Sequence, residues 1–198
     1  MTVKGLSYPF NSIYNFVFEG DSETAGNGLT DPIETYPFQV VSKNAADKRN
    51  GTKWINLAAS GNKITDMLLE AQLAAVDALY DAEYTNNYAI LMAGLNDIAL
   101  TEDTDEIIYN NIKTWVTGRK STGFNVIVCT VIGSAAINLA GLNTLIRVDN
   151  AGGNSLVDAA ADARLSDPTN TDYFQVDGIH LNAAGAGVLA DLVRAKLP

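Results

Sequence analysis

The sequence predicts an α/β fold in which helices cover both faces of a mainly parallel β-sheet. Short apolar runs alternate along the chain with longer segments whose apolar residues recur at helical spacing, and this alternation is typical of parallel sheets. The run over residues 88–93 is apolar without interruption, as expected of a strand that is covered on both faces. Polar residues follow the predicted strands, at the edge where ligands bind in open α/β sheets.

The first predicted strand covers residues 15–19 and ends at Gly20-Asp21-Ser22. Its apolar and aromatic run stops there, and small and polar residues follow, which predicts a turn into a helix. Such a turn presents the Ser22 hydroxyl at the rim of the sheet. Asp21 or Ser22 can also serve simply as the cap of that helix. This stretch alone therefore does not decide between a cap and a nucleophile.

The middle of the chain continues the alternation. A loop is predicted over residues 26–31, a helix over 36–44, and strands over 53–58, 88–93 and 125–132. Between two of these strands a helix over 64–80 is expected to have its inner face at Ile64, Leu68, Ala71, Ala75 and Leu79. Capping and acidic residues at 103–106 begin a second long helix, which stops near 118–123.

The C-terminal part is predicted to contain a helix over 138–150, a short strand over 156–159 and a loop over 167–172. The inner face of the last helix consists of Val188, Leu189, Leu192, Val193 and Leu197. Residues 1–14 have no helical or strand period and are interpreted as an N-terminal segment or linker. The length of 198 residues then fits one domain, over 15–198.

The charge balance limits the classes of partner. The chain has 13 basic and 23 acidic residues, a net charge of −10. Because no Lys/Arg cluster is present, neither nucleic acid nor an anionic membrane is expected as a partner. No apolar run is long enough for a membrane helix, and the first residues lack the apolar core of a signal peptide. We expect a cytoplasmic protein, a protein exported with its signal removed, or an extracellular or virion-associated domain of a larger protein.

The low number of cysteine and histidine residues restricts the possible catalytic and metal-binding chemistry further. Cys129 is the single cysteine and lies in an apolar strand pattern, which indicates an inert core thiol. His180 is the single histidine. Because only carboxylates remain as further ligands, no metal is expected, and the sequence indicates no other cofactor.

Four polar motifs fall at the ends of strands or in the final loop: Ser22, Ser60-Gly61-Asn62, Gly94-Leu95-Asn96-Asp97 and Asp177-Gly178-Ile179-His180. Each alone is explained by a turn or a helix cap, and a lone histidine is usually structural. A parallel sheet, however, brings all four to one edge.

Together these residues form a chemically complete set. A serine hydroxyl needs a neighbouring base, and His180 is the only imidazole available. Asp177 lies three residues earlier and can orient that imidazole. The backbone N–H groups of Ser22 and Gly61 and the side-chain amide of Asn96 can supply the donors of an oxyanion hole.

In order and spacing, these motifs resemble the four sequence blocks of the SGNH (GDSL-type) hydrolases, over residues 16–193. The resemblance implies a flavodoxin-like α/β/α sandwich of three layers with five mainly parallel strands. It implies Ser22 as nucleophile, His180 as general base and Asp177 as its partner. It also implies an oxyanion hole formed by Ser22, Gly61 and Asn96, with Asp21 and Asp97 in supporting positions, and we expect Asp21 to brace the turn by hydrogen bonding.

The chain departs from the family pattern at two positions. Glu23 stands where the family name has leucine, and Leu181 stands where many members have proline. Neither change removes a reacting group. Glu23 is expected either to add negative charge beside the nucleophile or to face solvent on the first helical turn.

We therefore expect a serine esterase that removes a short acyl group, such as acetyl, from a carbohydrate. The chain has little beyond the core fold, which favours an open site without a lid. Tyr36, Phe38, Tyr173 and Phe174 are candidates for stacking on sugar rings or for core packing. A lipase, arylesterase or thioesterase of the same family stays open, as does a non-catalytic carbohydrate-binding domain. A nucleotide-binding protein is disfavoured because no phosphate-binding glycine motif opens the first helix.

Overall fold

A computed structural model describes residues 14–47 and 52–198, so the expectation for residues 1–13 lies outside the described part. Within it, one parallel sheet has the strand order β2-β1-β3-β4-β5. Its strands are β1 (Tyr14–Gly20), β2 (Thr52–Asn56), β3 (Asn86–Met92), β4 (Asn125–Cys129) and β5 (Ser155–Val157). The predicted α/β fold with five parallel strands is confirmed, and β1 begins one residue earlier than expected.

Strand β1 is fully buried and lies second from one edge of the sheet. All seven of its residues are buried, and it pairs with β2 on one side and with β3 on the other. The edge strand β2 is much more exposed than β1. Because all three strands run in the same direction, their carboxyl ends lie side by side.

Helices cover both faces of this sheet. In the described residues they are α1 (Ser22–Ala25), α2 (Tyr36–Asp47), α3 (Ile64–Met67), α4 (Glu70–Asp77), α5 (Leu95–Thr101), α6 (Asp105–Thr122), α7 (Ala140–Asp149) and α8 (Ala183–Arg194). On one face, Phe16 and Phe18 of β1 belong to a core with residues of α2 and α8. On the other, Val17 belongs to a core with residues of α3, α6 and α7. The alternation of side chains along β1 thus produces the three layers.

The prediction of one continuous helix over residues 64–80 is wrong. The segment is divided into α3 and α4, because Leu69 has an extended backbone (φ −60°, ψ 138°) and is largely exposed. The break rotates the inner face, so that Val76 is buried whereas Ala71 and Ala75 are exposed. The second segment carries Gln72 to a hydrogen bond with β1, described below.

The remaining helix predictions are confirmed with small changes of boundary. Helix α6 begins after the cap Thr104, whose side chain accepts a hydrogen bond from the Ile107 N–H, and it ends at Gly123, where φ is 117°. The helix predicted after the turn at Ser22 is confirmed as the short α1, whereas α5 was not predicted as a separate element, since it is a brief helix directly after β3. Cys129 is buried as expected, and burial raises the pKa of its thiol to about 12.

Glu19 is an acidic residue inside the core at the end of β1. Its Oε2 accepts a hydrogen bond of 2.6 Å from Trp115 Nε1, and its Oε1 accepts one of 2.8 Å from Gln72 Nε2. Burial raises the pKa of Glu19 to about 7, although these hydrogen bonds and the charge of Arg119 act to lower it. The folded chain therefore holds a proton that the unfolded chain releases at lower pH.

We expect Glu19 to make stability fall as pH rises. Its contribution is fully present below the unfolded value near 4.5 and is lost as pH passes the folded value of about 7. This shift corresponds to on the order of 3 kcal/mol. Glu19→Gln should therefore reduce the decrease in Tm between about pH 5 and pH 8 in thermal melts. Exposed Glu83→Gln is the control, and an equal decrease in wild type and Glu19→Gln would contradict this assignment.

Candidate active site

The turn after β1 places Ser22 at the first position of α1. A Cβ atom on Gly20 would lie 2.5 Å from the Met92 carbonyl oxygen of β3, so only glycine fits this approach. Asp21 is the N-cap of α1, and its carboxylate accepts a hydrogen bond of 3.1 Å from the Glu23 N–H. Burial raises the pKa of Asp21 to about 6. Asp21 thus braces the turn, and the Ser22 hydroxyl is left for other contacts.

Ser22, His180 and Asp177 form a continuous chain of hydrogen bonds. The Ser22 Oγ atom lies 3.0 Å from His180 Nε2, and His180 Nδ1 lies 2.6 Å from Asp177 Oδ2. With the proton on Nδ1 donated to Asp177, Nε2 is free to accept the serine proton. The three residues predicted to be catalytic are therefore in hydrogen-bond contact.

Asp177 is held as a carboxylate by donors of its own loop. Its Oδ1 accepts hydrogen bonds from the N–H groups of Ile179 (2.9 Å) and His180 (3.0 Å). Burial acts to raise the pKa of Asp177, but the hydrogen bonds from the His180 ring and from these two N–H groups outweigh it and hold the pKa below its usual range. The ionised carboxylate fixes both the orientation and the tautomer of His180.

Gly61 and Asn96 follow the two strands that flank β1. Gly61, after β2, has a φ of 85°, a conformation that favours glycine. Asn96, in the first turn of α5 after β3, donates one amide hydrogen to the Asn62 carbonyl oxygen at 2.9 Å. Among the described residues, no acceptor pairs with the Ser22 or Gly61 N–H. These donors and the second amide hydrogen of Asn96 remain available to a ligand.

Asp97 does not point to the reacting groups. It is completely buried, and both of its carboxylate oxygens lie 3.1 Å from the N–H of Ile64, at the start of α3. Burial raises the pKa of Asp97, although this hydrogen bond acts to lower it. Asp97 therefore ties α5 to the beginning of α3, which follows the Gly61 turn.

Two residues of the site have no signal in the sequence motifs. The exposed Asn27 places its Nδ2 atom 3.3 Å from His180 Nε2. Gln175 donates from Nε2 to the carbonyl oxygens of Asn27 (2.8 Å) and Leu181 (2.9 Å). A Cβ atom on Gly28 would collide with the Gln175 side chain. The loop after α1 is thus held against the loop that carries His180.

Both expectations for Glu23 need correction. The side chain is 6% exposed and does not face solvent. Its Oε2 accepts a hydrogen bond of 3.2 Å from the Leu181 N–H. Burial raises the pKa of Glu23 well above 4.5, and the nearby Asp21 raises it further. The side chain therefore does not act as a surface charge beside the nucleophile.

The aromatic candidates for sugar stacking belong mainly to the core. Tyr36 and Phe174 are each 1% exposed, and Tyr173 packs against the same core. Phe38 contacts the edge of Trp54, with ring centroids 6.1 Å apart. For Tyr36 and Phe174 the packing interpretation holds, because both side chains are buried in the hydrophobic core.

The described residues contain no group of three or more His, Cys, Asp or Glu side chains that could hold a metal ion. No helix within the described ranges is long and apolar enough to cross a bilayer. The arrangement is suited to nucleophilic chemistry by Ser22 without a bound group, because base, orienting carboxylate and oxyanion donors all come from the chain itself.

The comparison with known families identifies the chain. The sequence profile of the GDSL-like lipase/acylhydrolase family matches residues 18–188. The chain belongs to this family. The ester-hydrolysing family identified from the four motifs is therefore confirmed. No curated protein sequence matches the chain.

Solved structures have the same fold at low sequence identity. The structure of TesA is 18% identical, with a TM-score of 0.71, covering 92% of this chain and 97% of its own. An acetyl xylan esterase, AlAXEase, is 18% identical, with a TM-score of 0.68 and coverage of 93% and 100%. A carbohydrate esterase family 3 protein from Talaromyces cellulolyticus is 16% identical, with a TM-score of 0.72 and coverage of 93% and 96%. These likenesses support the flavodoxin-like sandwich.

Proposed function

We propose that this member of the family is a serine esterase that hydrolyses short acyl esters, with Ser22, His180 and Asp177 as its catalytic residues. The observation that carries the proposal is the continuous hydrogen bonding from Ser22 Oγ through the His180 ring to Asp177. A non-catalytic domain with this fold has no need for such an alignment.

The reaction follows from this geometry. Ser22 Oγ attacks the ester carbonyl carbon while its proton moves to His180 Nε2. The negative charge on the carbonyl oxygen is stabilised by the N–H groups of Ser22 and Gly61 and the amide of Asn96. His180 then protonates the departing alcohol, which leaves an acyl-enzyme on Ser22. Water, deprotonated by His180, hydrolyses this intermediate and restores the serine.

For the substrate, we favour an acetylated carbohydrate. The group beside His180 Nε2, where the alcohol departs, is polar: the exposed amide of Asn27 lies 3.3 Å from this atom. The names of two structural neighbours, an acetyl xylan esterase and a carbohydrate esterase, agree with this choice. The net charge of −10 also favours a small neutral substrate over nucleic acid or an anionic membrane.

A lipase-like preference for longer acyl chains is the second candidate. It is favoured by a cavity of about 290 Å³ whose walls include Val131, Ile132, Ile137, Leu139 and Leu165. This cavity borders the catalytic loop, because the Ser134 N–H donates to the Gly178 carbonyl oxygen at 3.0 Å. The apolar part of its lining, which lies next to Ser134, Asn143 and Arg147, is suited to an acyl chain.

The acyl preference separates these candidates. We expect kcat/KM for p-nitrophenyl esters to be highest for acetate and to fall as the chain lengthens, and acetylated sugars to be deacetylated. Ser22→Ala and His180→Ala should abolish both activities, because no other imidazole is present to replace the base. A maximum at octanoate would favour the lipase, and near wild-type turnover by His180→Ala would contradict the triad.

Asn96→Ala tests the oxyanion hole. We expect kcat for p-nitrophenyl acetate to fall on the order of 10²–10³-fold, because one donor to the developing oxyanion is lost. Asn62→Ala is the matched control, since its backbone carbonyl, not its side chain, contacts Asn96. A decrease of less than about threefold for Asn96→Ala would remove it from this role.

A further inference from the structure

Glu23 lies next to the nucleophile in sequence, and the proposed mechanism does not use it. Its carboxyl group has two different environments. Oε2 accepts the hydrogen bond from the Leu181 N–H, whereas Oε1 is buried without a hydrogen-bond partner among the described residues. A buried carboxyl group with one donor is poorly solvated as an anion.

The hydrogen bond from Leu181 has a structural consequence for His180. Residues 174–181 form a hairpin that is closed by an antiparallel bridge between Phe174 and Leu181. The Gln175 N–H donates to the His180 carbonyl oxygen at 2.7 Å, and Gln175 Nε2 donates to the Leu181 carbonyl oxygen. The Leu181 N–H instead donates to Glu23. Glu23 thus links the turn that carries Ser22 to the residue that follows His180.

The charges that face Glu23 favour its protonated form. Asp21 lies in the same turn, and Asp177 lies in the hairpin, where it contacts the imidazole of His180. Tyr36 of α2 is a further titratable group in this region. Burial is the main cause that raises the pKa of its phenol well above 10, and smaller contributions come from nearby groups that include Asp21 and Glu23. The phenol is therefore neutral and adds no positive charge that would stabilise a carboxylate. A carboxylate at position 23 would therefore be buried beside two other negative groups.

We propose that Glu23 is a neutral carboxylic acid that positions the His180 loop, and that loss of its proton at alkaline pH weakens this attachment and lowers the rate. In this state Oε2 is the carbonyl oxygen that accepts from Leu181, and Oε1 carries the proton. Ionisation releases the proton to solvent and leaves an uncompensated buried charge, which favours separation of the turn from the hairpin. The effect on rate depends on the proposed role of His180, whereas the charge state of Glu23 does not.

Two substitutions separate the hydrogen bond from the charge. Glu23→Gln is isosteric with the neutral acid, keeps a carbonyl acceptor for Leu181 and cannot ionise. Glu23→Leu removes the acceptor and leaves the Leu181 N–H buried without a partner. If Glu23 acts through His180, glutamine should retain most of the activity that leucine loses.

The first readout is the pH dependence of kcat and KM for p-nitrophenyl acetate. We expect wild type to lose kcat at alkaline pH and Glu23→Gln to lack this decrease. Glu23→Leu should lower kcat on the order of 10–100-fold at all pH values, because a displaced base transfers protons poorly. Its KM should change by less than about threefold, because Glu23 does not touch the substrate.

The second readout is NMR of the His180 imidazole, whose signal is unambiguous because the chain has one histidine. In wild type we expect an additional inflection of the Cε1 proton resonance at alkaline pH, which Glu23→Gln removes. The acid-side inflection should be the same in both proteins. Because the titration requires no turnover, repeating it in the Ser22→Ala background tests the charge state even if the proposed function fails.

Three results would overturn the proposal: an alkaline decrease in kcat that persists in Glu23→Gln, a wild-type rate and pH profile in Glu23→Leu, or an acid-side inflection of His180 that moves in Glu23→Gln. The last would show that Glu23 is already ionised near neutral pH. If Glu23→Leu does not fold, the pH profile of kcat for Glu23→Gln and the NMR titration of His180 still test whether Glu23 is neutral.

Discussion

The parallel pairing of β1 with β2 and β3 is the constraint on which the site depends. It aligns the carboxyl ends of three neighbouring strands, and the segments that follow them carry Ser22, Gly61 and Asn96. At the end of β1 the chain passes so close to β3 that position 20 has no room for a side chain. The serine is therefore presented by a turn with little freedom. The hairpin of residues 174–181 then brings His180 and Asp177 to it.

Acidic residues are unusually placed along this strand and turn. Glu19, Asp21 and Glu23 occupy every second position from 19 to 23, and all three are buried. Burial is the main cause of a raised pKa in each of the three. Each carboxyl group connects β1 and the turn that carries Ser22 to a different part of the fold: Glu19 to α4 and α6, Asp21 to the backbone of α1, and Glu23 to the hairpin. Folding of this strand and turn is thus coupled to proton binding.

The fold and the four motifs could be predicted from sequence because both depend on local patterns. Continuous apolar runs marked the buried strands, and glycine with polar residues marked their ends. Burial of Glu23 could not be predicted, because its partner Leu181 is distant in sequence and lies in a loop without a period. The division of the helix at Leu69 was hidden because apolar spacing continues across it. Asn27 lies in a polar loop in which the sequence does not show which residue contacts His180. Only the hydrogen bond from Gln175 to the Asn27 carbonyl oxygen, seen in the structure, distinguishes it.

The central claim is that His180 activates Ser22 as a nucleophile, and covalent labelling tests it most directly. The folded protein is treated with an organophosphate such as diisopropyl fluorophosphate, and the adduct is located by peptide mass spectrometry. We predict one adduct, on Ser22, that is absent from His180→Ala and from protein denatured before labelling. Labelling of a different serine, or equal labelling of Ser22 in His180→Ala, would contradict the account.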